Sequence, residues 1–301
     1  MPTDRPLLVA TDLSDRGRHA VTTAAKWARD FDVPLAIVNV IDEMPNDLLG
    51  AGLGGLRFDP LEVGQMAHDA TRSALEDDVA ELGLDDLAPD LYVRMGHPVE
   101  EILDTARECD ARIVVMGRTG AGALESMLMG GTASKLMRHA DRPVALVPAT
   151  GVEAPRRVLV PIDFGPNVET QLDFVQGLGL PPAARLVLLS VTAMPAYFTD
   201  VVGDALVRTE LVRQMTQEYR TLIETRANEL AEAGFVVEHE VVEGDATAEI
   251  LAAAERHRSD TIVIGTRGRR GIARALIGNT AEKVARRFAH TTLVVPAPRR
   301  D

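Results

Sequence analysis

The feature that most constrains this chain is a repeat. Thr261-Ile262-Val263-Ile264, a short β-branched run, stops at Gly265. A glycine-bearing loop follows as far as Gly278, and helix-forming residues resume at Asn279-Thr280-Ala281-Glu282-Lys283. The same order of events occupies Arg112 to Lys135, RIVVMGRTGAGALESMLMGGTASK. Gly96 and Gly244, Gly117 and Gly265, Gly120 and Gly268, Gly130 and Gly278, Lys135 and Lys283, and Pro148 and Pro296 all stand 148 positions apart. So many coincidences at one offset are hard to obtain by chance, and the chain reads as two copies of one domain.

Each copy alternates apolar runs with helical patterns. In the first half the runs are Arg5–Thr11, Val33–Val40, Leu91–Met95, Ile113–Met116 and Pro143–Val147. In the second they are Arg157–Pro161, Arg185–Val191, Phe235–Val242, Thr261–Ile264 and Thr292–Val295. A helix opens at Ser14 or Asp15 with Ala20, Ala24, Trp27, Ala28 and Phe31 on its apolar face. Further helical patterns cover Leu61–Leu82, Val99–Cys109, the stretch ending at His139, about Val201–Ala233, and Ala248–Arg258. Continuous apolar strands between helices imply a parallel sheet covered on both faces. The Gly- and Pro-bearing linker Ala149–Pro155 sets the expected domains at 1–150 and 151–301. Each is expected to be a five-stranded, doubly wound α/β domain, whose ligands would sit at the carboxyl ends of the strands. The glycine-rich stretch Met44–Pro60 reads either as a lid over a ligand or as a plain loop.

A strand, a glycine-rich loop and a helix start make an anion cradle, because glycines let backbone N–H groups approach phosphate and the helix N-terminus adds partial positive charge. The same glycines would also serve a tight connection that only needs a permissive backbone. Charge favours the second loop: it carries Arg267, Arg269, Arg270 and Arg274 and no acid, whereas Arg118 in the first is balanced by Glu125. These arginines stand out on a chain of net charge −13, a balance that argues against nucleic-acid binding. No apolar run approaches the roughly 18 residues of a membrane helix, and the start shows no signal-peptide pattern. The single cysteine, Cys109, excludes an internal disulfide, fits a reducing cytoplasm and suits packing. His19, His68, His97, His139, His239, His257 and His290 form no metal-ligand spacing. Neither a P-loop lysine pattern nor a Gly-x-Ser-x-Gly elbow occurs, so no enzymatic activity beyond slow hydrolysis of a bound phosphate compound is expected.

Gly117-Arg118-Thr119-Gly120 leads through nine residues to Gly130, and Gly265-Thr266-Arg267-Gly268 leads through nine to Gly278. This pattern, twice after a fourth strand, resembles the ATP-binding form of the universal stress protein family over nearly the whole chain. The resemblance implies tandem α/β domains of the adenine nucleotide alpha hydrolase-like type, with an ATP site in each. The family's aspartate after the first strand falls on Asp12 and Asp163, near the adenosine moiety. Its proline two residues earlier is Pro161, with Ala10 in the first half. The second-strand valine whose backbone meets adenine falls on Val40 and Val191. The glycine loop would wrap ribose and phosphates through Gly117, Arg118, Gly120 and Gly130, or through Gly265, Arg267, Gly268 and Gly278. The hydroxyl residue expected after the last glycine is Gly131 in one half and Asn279 in the other, with Thr132 and Thr280 one step later.

Together these features imply a stress or signalling module that binds ATP, chiefly in the second domain, and passes that state to a protein partner not named by the sequence. Whether Mg2+ accompanies the phosphates stays open. The fifth strands are expected sheet edges, and the resemblance implies that they pair the two domains as an intramolecular pseudo-dimer. A further homodimer stays open. The alternative is a nucleotide-free interaction scaffold that works through its surfaces. An ATP-cleaving enzyme of similar fold would call for a Ser-Gly-Gly-type loop after the first strand, which Asp12-Leu13-Ser14-Asp15 and Asp163-Phe164-Gly165-Pro166 do not provide.

Overall fold

The structure is a computed structural model that describes residues 5–42, 59–119, 129–149, 154–165, 167–181, 183–192, 205–266 and 279–297. The chain divides into two compact units that part between Val152 and Glu153.

The first unit runs β1 (Leu7–Ala10), α1 (Asp15–Phe31), β2 (Leu35–Ile41), α2 (Pro60–Glu81), β3 (Asp90–Met95), α3 (Pro98–Glu108), β4 (Ile113–Gly117), α4 (Gly131–His139) and β5 (Val144–Val147). Its strands lie side by side in the order β3-β2-β1-β4-β5, all parallel. The second unit runs β6 (Arg157–Pro161), α5 (Val168–Gly177), β7 (Arg185–Thr192), α6 (Ala205–Glu232), β8 (Val236–Glu243), α7 (Ala246–Arg256), β9 (Thr261–Gly265), α8 (Asn279–Arg287) and β10 (Thr291–Val295). Its order is β10-β9-β6-β7-β8, again all parallel. Both are the doubly wound α/β domains that the alternating runs imply.

Burial explains the unbroken apolar strands. Leu7, Leu8, Val9, Ile113, Val114 and Val115 are fully buried in the first unit, as are Val158, Leu159, Val160, Ile262 and Val263 in the second. Each such side chain contributes about 1.5–3 kcal/mol relative to exposure. Trp27 and Phe31 close the first core from α1, with ring centroids 6.1 Å apart. Helix ends follow local chemistry. Ser14 caps α1 by accepting from the Gly17 N–H, and Asp245 caps α7 by accepting from the Ala248 N–H.

Several details differ from the sequence expectation. Gly117 and Gly265 are the last residues of β4 and β9 rather than the first of a loop. Helix α7 begins at Ala246 and ends before Arg258, which adopts a left-handed φ of 51°. Helix α5 escaped the sequence pattern altogether. Its approach, Gly165-Pro166-Asn167, reads as loop, and the N-cap Asn167 makes no side-chain capping bond.

Candidate functional site

The two glycines matched at 96 and 244 have a common cause. Gly96 and Gly244 sit at φ +148° and +155°, and a Cβ on either would meet Glu101 or Glu249 inside 3.0 Å. Each donates its N–H back to the end of the second strand, to Ile41 O and Thr192 O respectively. This turn aims α3 and α7 at the carboxyl end of the sheet.

The aspartates after the first strands also match. Asp12 Oδ1 accepts from the Ser14 N–H at 3.2 Å, and Asp163 Oδ1 accepts from the Gly165 N–H at 3.0 Å. Between them Leu13 and Phe164 are both left-handed, with φ of 58° and 52°. A carboxylate bonded two residues ahead stabilises such a turn, so each aspartate shapes the strand exit and then faces the carboxyl end of the sheet.

In the second unit these parts enclose a cleft of roughly 180 Å³. Pro161, Asp163, Val191, Gly265 and Thr280, which the sequence singles out from positions more than a hundred residues apart, all line it. Leu189, Val191, Ala246 and Ile250 form an apolar side. Asp163, Gly265, Thr266 and Thr280 add polar lining, the last from the first turn of α8. Thr280, the hydroxyl one step past Asn279, reaches the cleft, while Asn279 itself is exposed as the first residue of α8. Asp163 is the one ionisable side chain among the described lining residues. Arg267, Gly268 and Gly278, with the rest of the arginine loop, lie outside the described residues, as do Gly120 and the glycine-rich stretch 43–58.

The first unit arranges the matching residues differently. Asp12 is exposed and also accepts from the Ser14 hydroxyl, while Val40 is half-buried at the end of β2. A Cβ on Gly17 would stand 2.6 Å from both Asp12 Oδ1 and Thr11 Oγ1, so the first turn of α1 presses directly on the strand exit. Arg16 Nη1 donates to Thr119 Oγ1 at 3.2 Å, and a Cβ on Gly117 would lie 3.6 Å from the Arg16 carbonyl oxygen. Arg16 therefore reaches across the space beside Gly117. Arg118 is tied in through its own N–H, which donates to Val147 O, and burial pushes its guanidinium below its ordinary pKa. Gly130 is the N-cap of α4 without a side chain to offer. Gly131 is exposed with open space where a Cβ would be, and Thr132 is half-buried.

Sequence reasoning missed Gln171. It lies on α5, is 5% exposed, lines the second cleft, and donates from Nε2 to Pro161 O at 2.9 Å and Val263 O at 2.8 Å. The available signal was a single glutamine beside Leu172, Phe174 and Val175 in QLDFV. Among the described residues no group of three or more His, Cys, Asp or Glu is placed to hold a metal. Burial pushes the Cys109 thiol up, as suits a packing residue.

Two doubly wound units with a shared strand-exit turn and a cleft at the carboxyl edge define a tandem α/β protein. The universal stress protein family model matches this chain twice, over residues 5–148 and 155–296, and the chain belongs to the universal stress protein family. A universal stress protein of Mycolicibacterium smegmatis is 24% identical over 310 residues, covering 99% of this chain and 98% of that relative. One of Methanocaldococcus jannaschii is 34% identical over 92 residues, which span 31% of this chain and 52% of that relative. The crystal structure of a universal stress protein from Archaeoglobus fulgidus has the same fold. It shows a TM-score of 0.68 and 19% identity, over 97% of this chain and 98% of that one.

Proposed function

We propose that this universal stress protein binds ATP in the cleft of its second unit and works as a nucleotide-dependent signalling module rather than as an enzyme. One observation carries the reading. Four residues that the family's ATP pattern selects along the sequence, Pro161, Asp163, Val191 and Gly265, converge on one cleft, and Thr280, one step past the pattern's last position, joins them.

The residues present suit the parts of the ligand. Leu189, Val191 and Ile250 offer an apolar wall to a purine. The Asp163 carboxylate can accept from ribose hydroxyls. Gly265 and the start of α8 bring backbone N–H groups, and Thr280 a hydroxyl, to the phosphate end. A volume of roughly 180 Å³ is below the ~300–1,000 Å³ of complete small-molecule pockets, so it suits part of a nucleotide. Lacking a lysine, a histidine or a second carboxylate among its described lining residues, the cleft is better equipped to hold phosphates than to transfer them. Any Mg2+ would come with the phosphates, which commonly supply much of its coordination.

Titration calorimetry of the full chain with ATP tests the reading. Ala246→Trp, which fills the apolar side, and Gly268→Val are expected to abolish detectable binding, and Gly120→Val to leave most of it. Undiminished binding in Ala246→Trp would reject the cleft. A chain that binds no adenine nucleotide would instead favour an interaction scaffold.

A further inference from the structure

The sheet of the second unit is interrupted where its cleft opens. Strand β6 pairs with β9 only at Val158↔Thr261 and Leu159↔Ile262, whereas β1 pairs with β4 over Leu7 to Ala10, ending at Ala10↔Met116. The cause is Pro161. Ile162 donates its N–H to Leu189 O, towards β7. Because N–H groups alternate sides along a strand, position 161 faces β9. Continued in register, an N–H at 161 would meet Val263 O. Proline has none, and the ladder stops.

The carboxamide of Gln171 stands in its place. It donates to Val263 O, the acceptor that proline leaves without a ladder partner, and also to Pro161 O. The first unit has neither half of this device: Ala10 replaces Pro161, and Ala20, fully buried, replaces Gln171. We propose that Pro161 and Gln171 act as a coupled positioning pair that holds the carboxyl ends of β6 and β9 in the arrangement required for nucleotide, and so favours the second unit as the binding site. This rests on ATP occupying the second cleft, which both residues line. Gln171 is a positioning residue here: it acts through the strand ends that carry Asp163 and Gly265.

Four full-length chains test the pair: wild type, Gln171→Ala, Pro161→Ala, and the double variant, which gives the second unit the alanines of the first. Gln171→Ala orphans a buried carbonyl and is expected to lower the thermal midpoint by roughly 3–8 °C. In the double variant the alanine introduced by Pro161→Ala restores an N–H for Val263 O, so most of that loss is expected to return. ATP affinity is nevertheless expected to remain reduced by roughly tenfold or more. A residue with a purely structural role would recover binding together with stability. If Gln171→Ala is too unstable to purify, Gln171→Met fills the space without a donor, and Pro161→Ala is expected to rescue it likewise. A double variant no more stable than Gln171→Ala overturns the donor replacement. A stable double variant that binds ATP like wild type overturns the positioning role. Failure of wild type to bind ATP removes the nucleotide reading itself, and the stability comparison still decides whether the amide replaces the missing donor.

Discussion

Replacing Gly244 by alanine tests how the second cleft is built. Gly244 sits at φ +155°, outside the range L-residues adopt comfortably, and a Cβ there would lie 2.9 Å from both Cγ and Oε1 of Glu249. The backbone conformation alone is expected to cost about 1–3 kcal/mol. The overlap adds about 1 kcal/mol: Oε1 can swing away, but Cγ is held close to the helix. Gly244→Ala should therefore lose about 2–4 kcal/mol, or roughly 5–15 °C in the melting of a unit this size. Gly244→Ala with Glu249→Ala removes the overlap and leaves the backbone cost, so it should recover only the smaller part. Because the next residue caps α7, whose Ala246 and Ile250 line the cleft, ATP affinity should fall as well. Gly96→Ala, at φ +148° and 2.8 Å from Glu101 Oε1, should destabilise the first unit while leaving that affinity nearly intact. Urea unfolding and calorimetric titration on the three variants decide the matter. A Gly244→Ala chain within about 0.5 kcal/mol of wild type, the ordinary range for neutral surface changes, would refute the reasoning.

Other sites give sharper local tests. Arg258 is exposed with a left-handed φ of 51°, so Arg258→Gly should stabilise by about 0.5–1 kcal/mol, read as a higher urea midpoint; a lower midpoint counts against it. Burial pushes His19 below its ordinary value of 6.5, and its Nε2 has no hydrogen-bond partner. The unfolded chain then takes up this proton more readily, so stability is full above about pH 6.5 and falls as pH drops towards the lowered folded value. His19→Gln should flatten that acid-side slope when midpoints at pH 7.5 and 5.5 are compared, and an unchanged slope excludes the assignment. Gly131→Ser places a hydroxyl in open space at the first residue of α4 and removes a helical glycine. It should raise the melting midpoint by roughly 1–3 °C, and a fall would mean that the space is not open.

Much of the fold was legible because it rests on patterns that residue type alone expresses. The unbroken runs LLVA, IVVMG and TIVIG are buried on both faces, so their composition announces parallel strands. The offset of 148 held from Gly96 onwards because the elements from β4 to α4 recur in β9 to α8 at the same spacing. What escaped depended on contacts between distant residues. Nothing local in QLDFV says that Gln171 reaches carbonyls on two strands, one of them 92 residues away. Nor do Leu13 and Phe164 signal a left-handed turn, since neither is a turn residue; the aspartate before each stabilises that turn. Asp12 and Asp163 were legible as a matched pair between strand and helix, where a carboxylate often caps the turn, and each does spend an oxygen on the backbone two residues ahead.

The same ladder, built twice, ends differently in the two units, and the difference comes from few side chains. In the first, Ala10 keeps its N–H and pairs with Met116, Gly17 lets α1 press on the strand exit, and Arg16 bonds across to Thr119. In the second, Pro161 ends the ladder early, Gln171 takes up the vacant acceptor, and Val168 stands where Gly17 does, five residues after the aspartate. Close helix approach in one copy and a withheld donor in the other act at the same place, between the first and fourth strands of the unit. Under the proposed function, a duplicated domain divides its labour without altering its core: moving one backbone donor and one carboxamide would change what the carboxyl end of the sheet holds.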